Sequence, residues 1–361
     1  MTINLGQHFL AALDGLTITP EVKHLIEVER VLGFTLFRRN ITDAEQLTNL
    51  NCELQALANQ VGYQLILAVD QEGGRVFRLP EPFSQILPMR EWGKLAKQTG
   101  NNTYLRDLGQ VLGLEIQAAG FNLNFAPVVD VDTNPNNPII GDRSFASDGE
   151  SVAKLAEGVI LGLLDTNVIP CLKHFPGHGD TSLDSHLDLP TDGRSLSALE
   201  ACDLIPYRQL IKAHLAPTLM TAHVLYPALD SQHPATLSEK ILTGLLRTEL
   251  GYTGVIFSDD LLMKAIADRY KLADAARQFF LAGGDVALVC QDPALAISLI
   301  EQTRKSLSEN TPEAQKLTAS LTRSNERLTT LKTCYLKPGQ SLSLAMITAK
   351  HKEFLKKIFA A

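Results

Sequence analysis

The chain has 361 residues, of which 45% are apolar and 20% charged, with a formal net charge of −7 at pH 7. That length buries a large core without help from a disulfide or structural metal, and the acidic balance argues against a nucleic-acid partner, which needs a basic excess or stripe. Five cysteines without a C-x-x-C pair, no basic-then-apolar leader and no apolar run of transmembrane length make a cytoplasmic protein without a membrane partner the expectation.

Short, nearly all-apolar runs recur at 9–13, 33–37, 64–70, 121–130, 168–174, 217–225, 254–260 and 285–290. Runs without polar alternation suit strands buried on both faces of a parallel sheet. Between them lie segments with helical spacing, 42–61, 103–119, 151–166, 199–213, 238–250 and 272–282. Strands alternating with helices in this way predict an α/β fold, a single (β/α)8 TIM barrel. The alternative, a doubly wound open sheet, lacks its G-x-G-x-x-G after the first strand. Further on, 311–332 reads as an exposed helix, and 337–361 opens on a turn and ends as a basic amphipathic stretch. The expected organisation is a barrel catalytic domain over 1–335 and a helical extension over 336–361 with no assigned role.

Several runs end in polar residues: Asp70, then Asp130 and Asp132, Lys173 and His174, His223, and Asp259 with Asp260. In a barrel the C-terminal strand ends form one rim, and that rim carries the active site. In "VDQEGGRVFRL" (69–79), Asp70 is suited to accept from sugar hydroxyls or to offset a cation. Gly73 and Gly74 permit a sharp turn, and Arg75 and Arg78 add donors; a plain turn with surface arginines is the competing reading. In "NNPIIGDRSFASD" (136–148), Arg143 is either a ligand clamp or the ion-pair partner of Asp142. In "GVIFSDDLLMKAI" (254–266), one of Asp259 and Asp260 could serve as nucleophile or base, and the other could cap a helix starting at Leu261. Alternation along the strand does not say which points inward.

The densest stretch is "KHFPGHGDTSLDSH" (173–186). His174, His178, Asp180, Asp184 and His186 could hold a metal, but they lack the H-E-x-x-H spacing, and "PGHGDT" is not a phosphate-binding loop. Acid–base chemistry fits better. Histidine titrates near ~6.5, and Asp184 is close enough to orient and charge-stabilise His186. A histidine-rich surface turn is the bland alternative, and Lys173-His174 at a strand end just upstream weighs against it.

Taken together, "DQEGGRVFRL", "GDRSF", "KHFPGHGDTSLDSH" and "GVIFSDDLLM" resemble, in order and spacing, glycoside hydrolase family 3. Within it they resemble the single-domain bacterial β-N-acetylglucosaminidases of peptidoglycan recycling. The resemblance runs from about Asp14 to about Lys332. It implies Asp259 as nucleophile, His186 as general acid/base and Asp184 as its orienting partner. It implies sugar binding by Asp70, Arg78, Arg143, Lys173 and His174, with no metal and no cofactor. The implied reaction is retaining hydrolysis of terminal β-linked N-acetylglucosamine from muropeptides by a monomer. Larger relatives take a Glu acid/base from a second domain, which this chain is too short to hold. The loop carrying His186 is expected to move and close on bound sugar. A phosphorolytic enzyme of the same fold, a non-catalytic sugar-binding barrel and a metal-dependent barrel hydrolase stay open, as do the roles of His178 and Asp180.

Overall fold

A computed structural model of the protein describes residues 3–181, 185, 188–337 and 343–360. The apolar runs form one closed, all-parallel barrel of β1 (Phe9–Ala12), β2 (Gly33–Leu36), β3 (Ile66–Val69), β4 (Leu123–Asn124), β5 (Ile169–Phe175), β6 (Thr218–Thr221), β7 (Val255–Asp260) and β8 (Val286–Val289). Each strand pairs with its neighbours in sequence, and β8 pairs with β1 to close the ring. The (β/α)8 expectation therefore holds.

Side chains alternate between two cores, as the strand period of two requires. Leu10 and Ala12, Ile66 and Ala68, Ile169 and Cys171, and Val255 and Phe257 fill the barrel interior. Phe9, Ala11, Leu67, Val69, Leu172 and Ile256 face outward into the larger core beneath the helices. On β3 and β5 the inward parity, continued one step past each pair, reaches Asp70 and Lys173; β7 shifts register between Phe257 and Asp260, and both Asp259 and Asp260 line the mouth. The ends of β3, β5 and β7 thus bring an acid, a cation and two acids to the C-terminal mouth.

The surrounding helices start at side-chain caps where the sequence supplies them. Asp43 accepts from the Gln46 N–H at 2.9 Å ahead of helix Ala44–Gln60, and Asp148 accepts from the Ser151 N–H at 2.8 Å ahead of helix Gly149–Asp165.

Several boundaries differ from the sequence reading. The fourth run is strand only over Leu123–Asn124; beyond it Pro127, which has no N–H to donate, interrupts the ladder, and Val128 makes an isolated parallel bridge to Lys173. The segment expected as one helix over 199–213 is two, Leu196–Glu200 and Leu204–Lys212. The segment at 238–250 is π-helical over Lys240–Glu249.

The largest correction concerns 311–332. Helix Pro312–Tyr335 is not merely exposed: it buries Leu317, Ser320, Leu321, Ser324, Leu328 and Leu331. Leu328 and Leu331 join the barrel-interior cluster, so this helix closes the floor opposite the mouth. It is pinned there by Arg327, whose Nη2 lies 2.7 Å from Oδ1 of buried Asp285, while Arg247 Nη2 lies 2.6 Å from Oδ2 of the same carboxylate. The following helix, Leu344–Ala360, packs on helix Tyr104–Ala118, with His351 Nδ1 2.9 Å from Glu115 Oε1. No helix among the described residues is long and apolar enough to cross a membrane.

Candidate active site

A cavity of about 300 Å³ opens at the C-terminal mouth of the barrel. Its polar lining includes Asp70, Glu72, Arg78, Arg143, Lys173, His174, His178, Ser185, Asp259 and Asp260, and its apolar lining includes Phe125, Met220, Met263 and Leu288. Charged and polar groups outnumber apolar ones in this lining, which suits a small polar ligand with many hydrogen-bonding groups.

One wall is a chain of alternating charges. Lys173 Nζ lies 2.7 Å from Asp70 Oδ1 and 2.6 Å from Glu72 Oε1. Arg143 grips Glu72 with both arms, Nε to Oε2 at 2.8 Å and Nη2 to Oε1 at 2.9 Å. Arg78 Nη2 stands 3.9 Å from Asp70 Oδ2, and its buried Nε makes no hydrogen bond among the described residues.

Arg143 is paired with Glu72, which the sequence reading did not foresee. It does not pair with Asp142, which is taken by Arg75 at 3.2 Å. Arg75 also donates to the carbonyls of Pro138, Ile139 and Ile140, so it fastens the loop that carries Arg143. The turn leading there needs its glycines. Gly73 has φ 98°, and a Cβ on it would come within 2.9 Å of the Leu87 carbonyl.

His174 sits beside this wall and is oriented by buried Asp130, whose Oδ2 lies 2.7 Å from Nδ1. The peptide bonds Lys173–His174 and Phe175–Pro176 are cis. His178 faces His174 edge-on at 5.9 Å between ring centroids. Burial, with the nearby His174, pushes its pKa down to about 4, so its imidazole is neutral at ordinary pH. Nδ1 lies 2.7 Å from Thr181 Oγ1, and Nε2 lies 3.2 Å from Ser185 Oγ. Ser185 is also held by its carbonyl, which accepts from the Ala265 N–H at 3.3 Å, just beyond β7. His178 therefore ties Ser185 to the stretch just after β5.

Asp180 is not in the cavity. Its Oδ1 accepts from Thr133 Oγ1 at 2.8 Å, and Arg194 Nε lies 3.4 Å from its Oδ2. Gly179 is required for close packing: a Cβ there would lie 1.6 Å from the Val131 carbonyl oxygen. Asp184 and His186 lie outside the described residues, while Ser185 between them lines the cavity. Among the described residues, no group of three His, Cys, Asp or Glu could hold a metal ion.

The opposite wall carries Asp259, near the end of β7. Its Oδ1 accepts from the Asp260 N–H at 2.8 Å. Asp260 braces the strand end: its Oδ1 accepts from Leu262 and Cys290 N–H, both at 3.1 Å. The helix it was expected to cap at Leu261 starts at Lys264, after a turn. Burial, with Asp259 beside it, pushes the Asp260 carboxyl up to about 6.

Not every polar strand end reaches the cavity. Asp132 pairs with Arg90 at 2.6 Å, and His223 is buried between Thr236 Oγ1 and the Asp260 carbonyl. The sequence reading missed Glu72 as a site residue; its signal was an acid two positions after a strand-end acid.

Residues 5–325 match the glycosyl hydrolase family 3 N terminal domain. The chain is 42% identical over 310 residues to a beta-hexosaminidase of Neisseria meningitidis serogroup C, an alignment covering 85% of this chain and 84% of that one. Among solved structures, NagZ from Neisseria gonorrhoeae in complex with N-trifluoroacetyl-D-glucosamine is 35% identical, with a TM-score of 0.76 over 96% of this chain and 97% of that one. A family 3 beta-N-acetylglucosaminidase from Paenibacillus sp. str. FPU-7 is 34% identical, with a TM-score of 0.91 over 99% of this chain and 68% of that one. Motif order, barrel and likeness along most of the chain agree, and the protein belongs to glycosyl hydrolase family 3.

Proposed function

We propose that this protein is a retaining β-N-acetylhexosaminidase that removes terminal β-linked N-acetylglucosamine from muropeptides in the cytoplasm. The observation that carries the reading is Asp259 near the end of β7, facing a wall of Asp70, Glu72, Lys173, Arg143 and His174 across one small cavity. That wall offers charged donors and acceptors in number, which suits the hydroxyls and amide of a single sugar ring. The hexosamine follows the named beta-hexosaminidase relatives. The muropeptide aglycone follows the motif likeness to the enzymes of peptidoglycan recycling.

In the proposed reaction, Asp259 attacks the anomeric carbon and the glycosidic C–O bond breaks, leaving a glycosyl ester on Asp259. His186 gives its proton to the departing oxygen, oriented by Asp184. It then takes a proton from water, which attacks the anomeric carbon and frees Asp259. Asp70, Arg78, Arg143, Lys173 and His174 hold the ring in place. All these groups belong to one chain, so a monomer suffices.

Replacing Asp259 with Ala should abolish release of 4-nitrophenol from its β-N-acetylglucosaminide; substantial residual turnover sinks the nucleophile assignment. Replacing His186 should harm muropeptide hydrolysis more than that of activated aryl glycosides, whose leaving groups need little protonation. Equal losses count against the acid role. Sugar 1-phosphate formed in the presence of phosphate would convert the reading to phosphorolysis.

A further inference from the structure

Glu72 occupies the point where the two cations of the sugar-facing wall meet. Its side chain is 2% exposed, against 3% for Lys173 and 11% for Arg143. Three N–H donors end on its two oxygens: Lys173 Nζ and Arg143 Nη2 on Oε1, and Arg143 Nε on Oε2. An ammonium carries three protons and a guanidinium five. Lys173 uses one proton on Glu72 and one on Asp70, which leaves one. Arg143 uses two on Glu72 and one, at 3.1 Å, on the Ile139 carbonyl, which leaves two. Both cations therefore keep donor capacity for a ligand, while Glu72 is buried with three donors already on its two oxygens. Burial alone would raise the pKa of Glu72, but the charges and hydrogen bonds of Arg143 and Lys173 outweigh it and hold the carboxyl far below the ordinary range. Glu72 stays ionised and has no proton to give, so its part is geometric and electrostatic.

We propose that Glu72 is a positioning residue of the glycosidase site: it sets the donor directions of Lys173 and Arg143 toward the sugar and shares Lys173 with Asp70, leaving Asp70 free to accept from the substrate. The argument rests on the cavity being the sugar site proposed above. The physical reason is that two desolvated cations beside each other repel unless a carboxylate lies between them. A donor displaced by an ångström loses most of its value in a transition state. Without Glu72, Lys173 would turn fully onto Asp70, and Arg143 would swing toward the nearest carbonyls.

Two variants separate charge from shape. Glu72→Gln keeps the outline and removes the charge; Glu72→Asp keeps the charge and withdraws it by one methylene. Thermal melting checks that each is folded. Kinetics are read on 4-nitrophenyl N-acetyl-β-glucosaminide, and binding of N-acetylglucosamine is read by calorimetry, which needs no turnover.

Glu72→Gln should lower kcat/KM about 100-fold, mostly in kcat, and weaken sugar binding about tenfold, with Glu72→Asp in between. The double variant Glu72→Gln, Arg143→Gln should lose less than the product of the two single losses, because part of the effect of Glu72 runs through Arg143 and part through Lys173. A folded Glu72→Gln with kcat/KM within about threefold of wild type, or losses that multiply in the double variant, would overturn the proposal. If Glu72→Gln does not fold, wild-type kinetics in Glu72→Asp overturn it equally. A wild type that binds the sugar without releasing 4-nitrophenol would break the glycosidase reading instead, and the binding arm would then decide on Glu72: weaker binding in the variant supports it, and equal binding ends it.

Discussion

Asp130 is joined to His174 twice: Oδ2 lies 2.7 Å from the imidazole Nδ1, and Oδ1 accepts the His174 backbone N–H at 3.1 Å. The same Oδ1 accepts the His178 N–H at 2.7 Å. One buried carboxylate from the stretch after β4 thus sets the rotation of a cavity imidazole and the start of the loop beyond it. With Nδ1 engaged, Nε2 is the nitrogen left for a ligand. An amide at this position has one acceptor oxygen for three donors. Asp130→Asn should therefore lower kcat/KM about 100-fold while the barrel stays folded. Steady-state kinetics with a parallel melting curve check this, and near-normal turnover would show that His174 needs no such guide.

Arg194 clasps the far side of that loop. Its Nη2 lies 2.6 Å from Asp192, its Nη1 2.8 Å from Asp203 and its Nε 3.4 Å from Asp180. Asp192 and Asp203 are fully buried, so removing the guanidinium strands two anions. Arg194→Met should cost about 3–5 kcal/mol in denaturant unfolding, the usual penalty for breaking a buried ion pair from one side. Adding Asp203→Asn should recover part of it. If the double variant is no more stable than the single one, the clasp is not electrostatic.

The pH profile should report Asp260. Burial, with Asp259 beside it, pushes its carboxyl up to about 6. As pH falls through that value, Asp260 takes up a proton and loses acceptor strength toward the Leu262 and Cys290 N–H groups that brace the end of β7. An acid limb in kcat/KM near pH 6 is the expected result. Asp260→Asn should move the limb to lower pH, because it removes the group that titrates there. An unmoved limb would assign it elsewhere.

On the barrel floor, burial pushes Lys332 down to about 8, and its ammonium donates to Gln7 Oε1. In the unfolded chain a lysine titrates near about 10.4. Between those values the unfolded state binds more protons, so stability should rise with pH; below about 8 the charged lysine costs its full amount. Lys332→Met should stabilise the protein by about 1–3 kcal/mol near neutral pH and remove the rise. Chemical denaturation across the alkaline range measures this, and a less stable Lys332→Met would mean the Gln7 contact outweighs the burial cost.

The chain's own order was enough to reveal the barrel and the family. Strands buried on both faces must be apolar throughout, so Ile66–Val69 and Val286–Val289 stand out from the helices around them without any contact being known. The strand-end acids and the Lys173-His174 pair were visible for the same reason, as polar residues closing apolar runs. Barrel closure decided the rest. Alternation alone does not say which parity faces inward, and the register shift of β7 between Phe257 and Asp260 brings both Asp259 and Asp260 to the cavity. Glu72 looked like part of a turn because its partners lie 71 residues away at Arg143 and on another strand at Lys173. Helix Pro312–Tyr335 looked exposed because its apolar stripe is thin, and a thin stripe suffices when what it covers is the narrow floor of a barrel. The sequence carries which residues are apolar and which are charged; the partner of each charge depends on how strands far apart in the chain are brought side by side, and that is set only when the ring closes.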